Sequence, residues 1–484
     1  MRRHQLSLRN CLHRLAWLAA ALVGCGIVRA QPHPRPPATP AIARYPGADT
    51  VAIWLTTADR AQLLARQPDA LLVDTAPAEG VVIDVDERRR YQTMVGFGAS
   101  ITDASAFLIH ERMTVAQREV LLTELFSRSE GIGLDFTRLT IGASDFSSSH
   151  YSLDDVQRGE SDTTLSRFSI DSNRTYLLPV VQRAVAINPR LTIMATPWSA
   201  PGWMKTSGSL IKGTLEPKYY GVFARYLLRY VKEYEAEGVP IHLLSLQNEP
   251  HFEPEDYPGM RLDPAARATL FKEHVGPLFA REEIETKLLD WDHNWDQPDS
   301  PLAVLSDPAA RRYVAGVAWH CYGGTVSAQT RVRDAYPSKE VYFTECSGGG
   351  WSPDWGKNLD FAVGTLIVDA TRHWARGILL WNLALDENSG PHKGGCGNCR
   401  GVVTIDSRSG AVTRNVEYYA LAHASRFVLP GARRIASTSD TAGVKTVAFR
   451  NEDGSKVLIA LNQAGAPRTL VVRARGPWFT VALP

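Results

Sequence analysis

Between residues 92 and 390 short apolar runs recur at regular intervals and predict eight strands, at 94–98, 134–141, 191–196, 241–246, 286–291, 314–320, 340–344 and 377–383. Helical periodicity fills the gaps. Residues 114–127 open on a capping box of Thr114 and Gln117, and 216–237 carry a Tyr, Leu and Val stripe at helical spacing. Eight strands alternating with helices predict an α/β fold, a (β/α)8 TIM barrel, whose chemistry sits at the C-terminal strand ends. The rival, a doubly wound open sheet, usually carries a ligand-binding turn after its first strand. The turn here, Gly96-Phe97-Gly98-Ala99-Ser100-Ile101, lacks the third glycine of that fingerprint.

Both ends of the chain read differently. VAIWL (51–55), ALLV (70–73) and VVIDV (81–85) are β-like, and so are 401–405, 443–450, 456–461 and 470–473, with Asp453-Gly454 as a hairpin turn. Neither set buries a sheet alone, so they predict one all-β sandwich, built from N- and C-terminal segments and attached to the barrel. The expected organisation is a signal peptide at 1–30, a Pro-rich linker at 31–44, sandwich strands at 45–90, the catalytic barrel at 91–400 and the rest of the sandwich at 401–484. The chain stops at Pro484, which raises the question of whether the sandwich lacks an edge strand.

Charge sharpens the export reading. The formal net charge of +2 comes from 53 basic and 51 acidic residues, but Arg2, Arg3, Arg9, Arg14 and Arg29 are the only charges before residue 31. Cutting before Gln31 therefore leaves 48 against 51, or −3, and removes the support for nucleic-acid binding. The apolar run 15–28 has the length of a secretory h-region and is too short to span a bilayer comfortably. Val28-Arg29-Ala30 fits signal cleavage and free secretion or a periplasmic location, whereas Leu22-Val23-Gly24-Cys25 resembles a lipobox that would leave an outer-membrane lipoprotein anchored at Cys25. No transmembrane span is expected in the mature chain. Cys396 and Cys399 are expected to form a small loop disulfide, because no second close Cys/His pair is present to complete a zinc site. Cys321 and Cys346 are expected to act as small buried hydrophobes.

Two of the predicted strands end in glutamates. The strand at 241–246 runs into Gln247-Asn248-Glu249-Pro250, where Pro250 should hold Glu249 in extended backbone, and the strand at 340–344 runs into Glu345-Cys346. Two carboxyls at the mouth of one barrel supply what glycoside hydrolysis needs, a proton donor and a carboxylate facing an oxocarbenium-like transition state. Most tryptophans also fall at or just after strand ends, where ring faces can stack on sugar C–H faces. Trp203 and Trp319 are divided between core and cleft, and Asp103 reads as a structural turn or cap acid.

The motifs Gly96-Phe97-Gly98-Ala99-Ser100-Ile101-Thr102-Asp103, Ser144-Asp145-Phe146-Ser147, Pro197-Trp198-Ser199-Ala200-Pro201-Gly202-Trp203-Met204-Lys205, Gln247-Asn248-Glu249-Pro250, Trp319-His320-Cys321-Tyr322, Phe343-Thr344-Glu345 and Trp381-Asn382-Leu383-Ala384-Leu385 occur in order from about 90 to 430. Together they resemble glycoside hydrolase family 30, the glucosylceramidase-like family. That resemblance implies a retaining β-glycosidase with Glu249 as general acid/base and Glu345 as nucleophile, needing neither metal nor organic cofactor. It further implies Asn248 on the sugar 2-hydroxyl, Asp145 gripping sugar hydroxyls, Tyr322 on the nucleophile, Arg138 beneath the carboxylates, and His320, Trp198 and Trp381 lining the cleft. The implied partner is a carbohydrate or glycolipid, glucosylceramide-like or a β-1,6-glucan. The alternatives are xylan or galactan action within the family, or a non-catalytic carbohydrate-binding protein. The stretch 392–400 resembles bacterial members of the family, including β-1,6-glucanases, and follows the eighth strand, where it would shape the subsites.

Overall fold

The computed structural model describes residues 50–474 and 476–484. The expected signal, the Pro-rich stretch 31–44 and Cys25 lie outside those residues. The chain begins with a hairpin of β1 (Thr50–Leu55) and β2 (Ala65–Leu71), followed by the 13-residue β3 (Val81–Thr93). The barrel strands are β4 (Gly96–Ser100), β5 (Phe136–Ile141), β6 (Thr192–Pro197), β7 (Leu243–Ser245), β8 (Lys287–Asn294), β9 (Val314–His320) and β10 (Glu340–Glu345). After the two-residue β11 (Gly348–Gly349), β12 (Ala375–Asn382) closes the circle between β10 and β4. All eight barrel strands lie within a few residues of the runs read from the sequence.

Helices form where the pattern places them. Thr114 caps the helix Val115–Phe126 by accepting from Gln117 N while the Gln117 side chain accepts from Thr114 N. The stripe at 216–237 becomes the helix Tyr220–Ala236, burying Phe223, Tyr226, Leu227, Tyr230 and Tyr234, but Pro217 first sets a 3-10 turn and delays its start. Inside the barrel one residue from each of seven strands, Phe136, Met194, Leu243, Leu289, Ala318, Tyr342 and Leu379, forms an apolar plug. A barrel of this size is filled by such layers, so the site stands on a packed floor.

The boundary of the second domain lies later than 401. β13 (Ala384–Leu385) pairs in parallel with β15 (Val403–Ile405), which pairs antiparallel with β16 (Val412–Arg414), while β14 (Cys399–Arg400) pairs with β11. Val403 and Ile405 are fully buried in the barrel's own core, and the helix Val416–Ser425 covers it further. This strand joins the barrel because its two apolar positions need a core, and the barrel supplies one directly beside it. The sandwich sheet proper contains β17 (Arg433–Ser437), β18 (Val444–Arg450), β19 (Lys456–Asn462), β20 (Arg468–Arg473) and β21 (Trp478–Leu483), in the order β19-β18-β17-β3-β20-β21. The N-terminal β3 is thus an interior strand, antiparallel to β17 and parallel to β20. One face, with Ile83, Ile435, Ala448 and Val472, is covered by Val51, Ala70 and Leu72 of the hairpin region. Val447, Phe449 and Ile459 belong to the barrel core, with Phe449 edge-on to Phe97. Among the described residues no helix is long and apolar enough to cross a membrane.

Candidate active site

Above the plug the inward-facing positions turn polar. Arg138, Thr196, Ser245, His320 and Thr344 each follow a plug residue by two along β5, β6, β7, β9 and β10, the spacing that returns a strand side chain to the same face. β8 departs from this parity. Trp291 and Asp292 have φ of 79° and 53°, and the β8–β9 register shifts between Trp291 and His293. This bulge sends Trp291 outward beside Arg267 and His251 and turns Asp292 into the barrel. There Asp292 is the hub of the layer. Its Oδ2 accepts from Arg138 Nη2 (2.9 Å), Ser245 Oγ (2.6 Å) and Thr196 Oγ1 (3.0 Å), and its Oδ1 accepts from Thr344 Oγ1 (2.7 Å) and faces His320 Nε2 at 3.0 Å. Burial would push its carboxyl up, but the Arg138 charge and these hydrogen bonds hold it well below the usual carboxylate range. The sequence reading missed Asp292 because it ended the strand at Trp291; the available signal was the titratable pair Asp292-His293 at a barrel strand end.

Glu345 closes β10 and Glu249 sits just past β7. Glu345 Oε2 accepts from Arg138 Nη1 at 2.6 Å and Oε1 accepts from Tyr322 OH at 3.0 Å. Nδ1 of His320 lies 3.1 Å from Glu249 Oε1 and 3.9 Å from Glu345 Oε1. The two carboxyls are therefore no farther apart than the sum of those distances, which admits the ~5–5.5 Å of retaining pairs and lies near the lower end of the ~6.5–9.5 Å of inverting ones. Glu249 is not extended as Pro250 led us to expect: its φ is +47°. Its backbone N–H donates to Asp292 O at 3.0 Å, so the strained turn is braced by the strained bulge across from it. Asn248 Oδ1 accepts from Arg138 Nη2 at 2.8 Å, which fixes its amide and leaves the NH2 for another acceptor.

Trp198 and Trp381 stack at 5.0 Å, and the Arg138 guanidinium lies 4.8 and 5.5 Å from their ring centres. Asp145 is buried and its backbone O accepts from Lys393 N, so the segment after β13 reaches the site. Gly395 in that segment has φ +68°, and a Cβ there would lie 2.6 Å from the Asp145 Cβ. Only glycine allows so close an approach. Trp319 is a fully buried core residue, and Trp203 packs half-buried against the same core. Asp103, the first residue of the helix Asp103–Glu111, accepts from Ser147 Oγ and Tyr151 OH while Thr102 provides the cap.

The cysteines next to the two strand ends are not free hydrophobes. Cys321 and Cys346 form a disulfide that ties the residue after His320 to the residue after Glu345. Sequence alone leaves them unpaired because the 25-residue separation hides that β9 and β10 are neighbours. Cys396 and Cys399 are joined as well.

The charges are unevenly held. Burial would lower His320, but the Glu345 charge and the contacts with Asp292 and Glu249 outweigh it and raise the imidazole to about 9. Burial would raise Glu249, yet the imidazoles of His293 and His320 bring it down to about 2. His293 Nδ1 is 3.4 Å from Glu249 Oε1, a contact absent from the sequence reading. Burial pushes Glu345 up, against His320 and Arg138. Burial and the Glu345 charge push Asp145 well up. The surrounding acids thus favour the charged imidazole of His320, and the imidazoles favour the ionised carboxylate of Glu249.

Residues 94–428 match the family described as Glycosyl hydrolase family 30 TIM-barrel domain, and 431–484 match the Glycosyl hydrolase family 30 beta sandwich domain. The chain is 34% identical over 412 residues to an endo-1,6-beta-D-glucanase of Neurospora crassa, covering 82% of this chain and 84% of that protein. It is 27% identical over 423 residues to the lysosomal acid glucosylceramidase of Mus musculus, covering 81% and 79%. A solved endo-beta1,6-glucanase superposes with a TM-score of 0.83 at 32% identity, covering 90% of this chain and 97% of that one.

Proposed function

The chain belongs to glycoside hydrolase family 30, and from that premise we propose that it cleaves β-1,6-linked glucan by double displacement, with Glu345 as nucleophile and Glu249 as acid/base. The protein is a glycoside hydrolase of the retaining β-glycosidase type. The observation that carries the assignment of roles is the asymmetry of the two carboxyls. Glu345 accepts from Arg138 and Tyr322, two donors that favour its ionised, attacking form, whereas Glu249 Oε1 faces two imidazoles, His320 Nδ1 at 3.1 Å and His293 Nδ1 at 3.4 Å, groups able to exchange a proton with it.

In the first step a Glu345 oxygen bonds to the anomeric carbon as the glycosidic C–O bond breaks, and Glu249 delivers to the leaving oxygen a proton drawn from His320 Nδ1. In the second, Glu249 takes a proton from water and returns it to His320 Nδ1, the hydroxyl adds to the anomeric carbon and Glu345 is released. Asn248 offers its free NH2 to the sugar 2-hydroxyl, Asp145 binds other hydroxyls, and the stacked Trp198 and Trp381 wall the sugar. The β-1,6-glucan reading is supported by the higher identity to the endo-1,6-beta-D-glucanase than to the glucosylceramidase, and glucosylceramide is the second reading. Export, with cleavage before Gln31, belongs to the same proposal and is checked by the mass of the mature chain.

Product analysis on pustulan, glucosylceramide, laminarin and xylan tests the substrate: oligosaccharides from pustulan alone support it, and turnover of glucosylceramide alone replaces it. Glu345→Gln should lose at least ~10^3-fold in kcat on an aryl β-glucoside while keeping sugar binding.

A further inference from the structure

We propose that Glu249, His293 and His320 form a binding site for a divalent transition metal of the zinc type, and that its occupation shuts off hydrolysis by capturing the Glu249 carboxylate. The inhibition rests on the acid/base role given to Glu249 above; the binding does not.

One ligand atom from each residue, a carboxylate oxygen and two imidazole nitrogens, lies within 4.8 Å of the other two. Glu249 Oε1 is 3.1 Å from His320 Nδ1 and 3.4 Å from His293 Nδ1. A tetrahedral zinc with bonds of about 2.0–2.1 Å has ligand–ligand edges of about 3.3–3.4 Å, so the two edges at Glu249 already match, and the edge between the imidazoles, within 4.8 Å, closes by up to about 1.5 Å as the ion binds. Two imidazoles and one carboxylate are also the donor set of zinc sites that keep a fourth position open, and imidazole selects zinc or copper over magnesium and calcium.

Two further features point to a ligand. His320 Nε2 faces Asp292 Oδ1 at 3.0 Å, the carboxylate–imidazole arrangement that turns the opposite nitrogen toward a metal, and Asp292 is itself fixed by Arg138, Ser245, Thr196 and Thr344. His293 Nδ1 is buried, and its 3.4 Å contact with Glu249 Oε1 lacks hydrogen-bond geometry, so the nitrogen has no hydrogen-bond partner. An unsatisfied buried nitrogen is costly, and a metal would satisfy it. Its ring is held 5.0 Å from Trp291 and 6.3 Å from His320. With zinc bound, the Glu249 oxygen is occupied and can no longer deliver a proton to the leaving oxygen.

The test titrates tag-free, EDTA-treated full-length protein with Zn2+ by isothermal calorimetry, beside hydrolysis of an aryl β-glucoside. One zinc per chain is expected, with affinity at least tenfold weaker in His293→Gln and unchanged in Glu345→Gln, and with no binding of Mg2+. Zinc should inhibit the wild type reversibly, and His293→Gln should need at least tenfold more zinc to lose half of its own zinc-free rate. If His293→Gln does not fold, Co2+-loaded wild type decides: intense visible bands indicate the tetrahedral site, and weak octahedral bands overturn it. Absence of stoichiometric zinc, or equal affinity in wild type and His293→Gln, also overturns the site. A zinc-free wild type without turnover on any β-glycoside would instead sink the hydrolase reading and leave calorimetry to judge the site.

Discussion

Two layers of the same barrel, two residues apart along five strands and three apart on the bulged β8, have opposite chemistry. The lower layer, from Phe136 to Leu379, is an apolar plug whose members need only volume. The upper layer, with Arg138, Asp292 and His320, is as deeply buried but made of charges, each compensated by another. The plug tolerates exchange among hydrophobes of similar size. In the charged layer the removal of one member leaves its partner ionised and dry, which is far more costly. Burial therefore says nothing by itself about which positions carry chemistry; the partners do.

The largest break in this contrast is Asp292→Asn. It keeps the shape but removes the charge that holds Arg138 and His320, so kcat/KM on an aryl β-glucoside should fall by at least ~10^3-fold, about 4 kcal/mol of transition-state stabilisation. A rate near wild type would mean that the layer is structural scaffolding only. Next, Leu289→Ala in the plug should cost about 3 kcal/mol in chemical denaturation while kcat/KM of the folded enzyme stays within several-fold. An activity loss equal to that of Asp292→Asn would show that the layers act as one unit.

The disulfide tests whether the upper layer needs bracing from outside. Replacing both Cys321 and Cys346 by serine should lower stability by about 3–4 kcal/mol, given the 25-residue loop, and reduce kcat more than it raises KM, because Tyr322 is no longer tethered against Glu345. Unchanged kcat would confine the bridge to stability.

The smallest effect sharpens the comparison between buried acids. Asp103 has hydroxyl donors but no cation, and burial raises it to about 6, whereas Asp292 with its guanidinium is held low. Between pH 4 and 6 the folded state thus binds more protons at Asp103 than the unfolded chain, whose value is 3.8, so stability is fully present below that range and declines as pH rises through it. Asp103→Asn should flatten this slope by about 2 kcal/mol, as read from denaturation midpoints at pH 4 and pH 6.5. An unchanged slope would assign the pH dependence to other groups.

Much of this was legible in the chain itself. The eight strand runs, the Thr114 capping box and the Asp453-Gly454 turn are local patterns, and the structure realises them nearly in place. The motif resemblance named Arg138, Asn248, Glu249, His320, Tyr322 and Glu345, and the structure gathers these into one network. Misreadings arose where an element's neighbours decide. The β-like run at 401–405 reads as a sandwich strand because it stands with the other C-terminal strands, and only the adjacent β13 fixes its partner.

The amino-acid sequence by itself determined the barrel, through the period of its apolar positions, and the presence of two glutamates at strand ends. The tertiary structure decided the rest: that a bulge with two positive φ angles turns Asp292 inward, that Glu249 adopts left-handed backbone despite the proline after it, that Cys321 meets Cys346, and that His293 stands beside Glu249. These depend on strands far apart in sequence, and on a balance of burial against opposite charge that exists only once the barrel has closed.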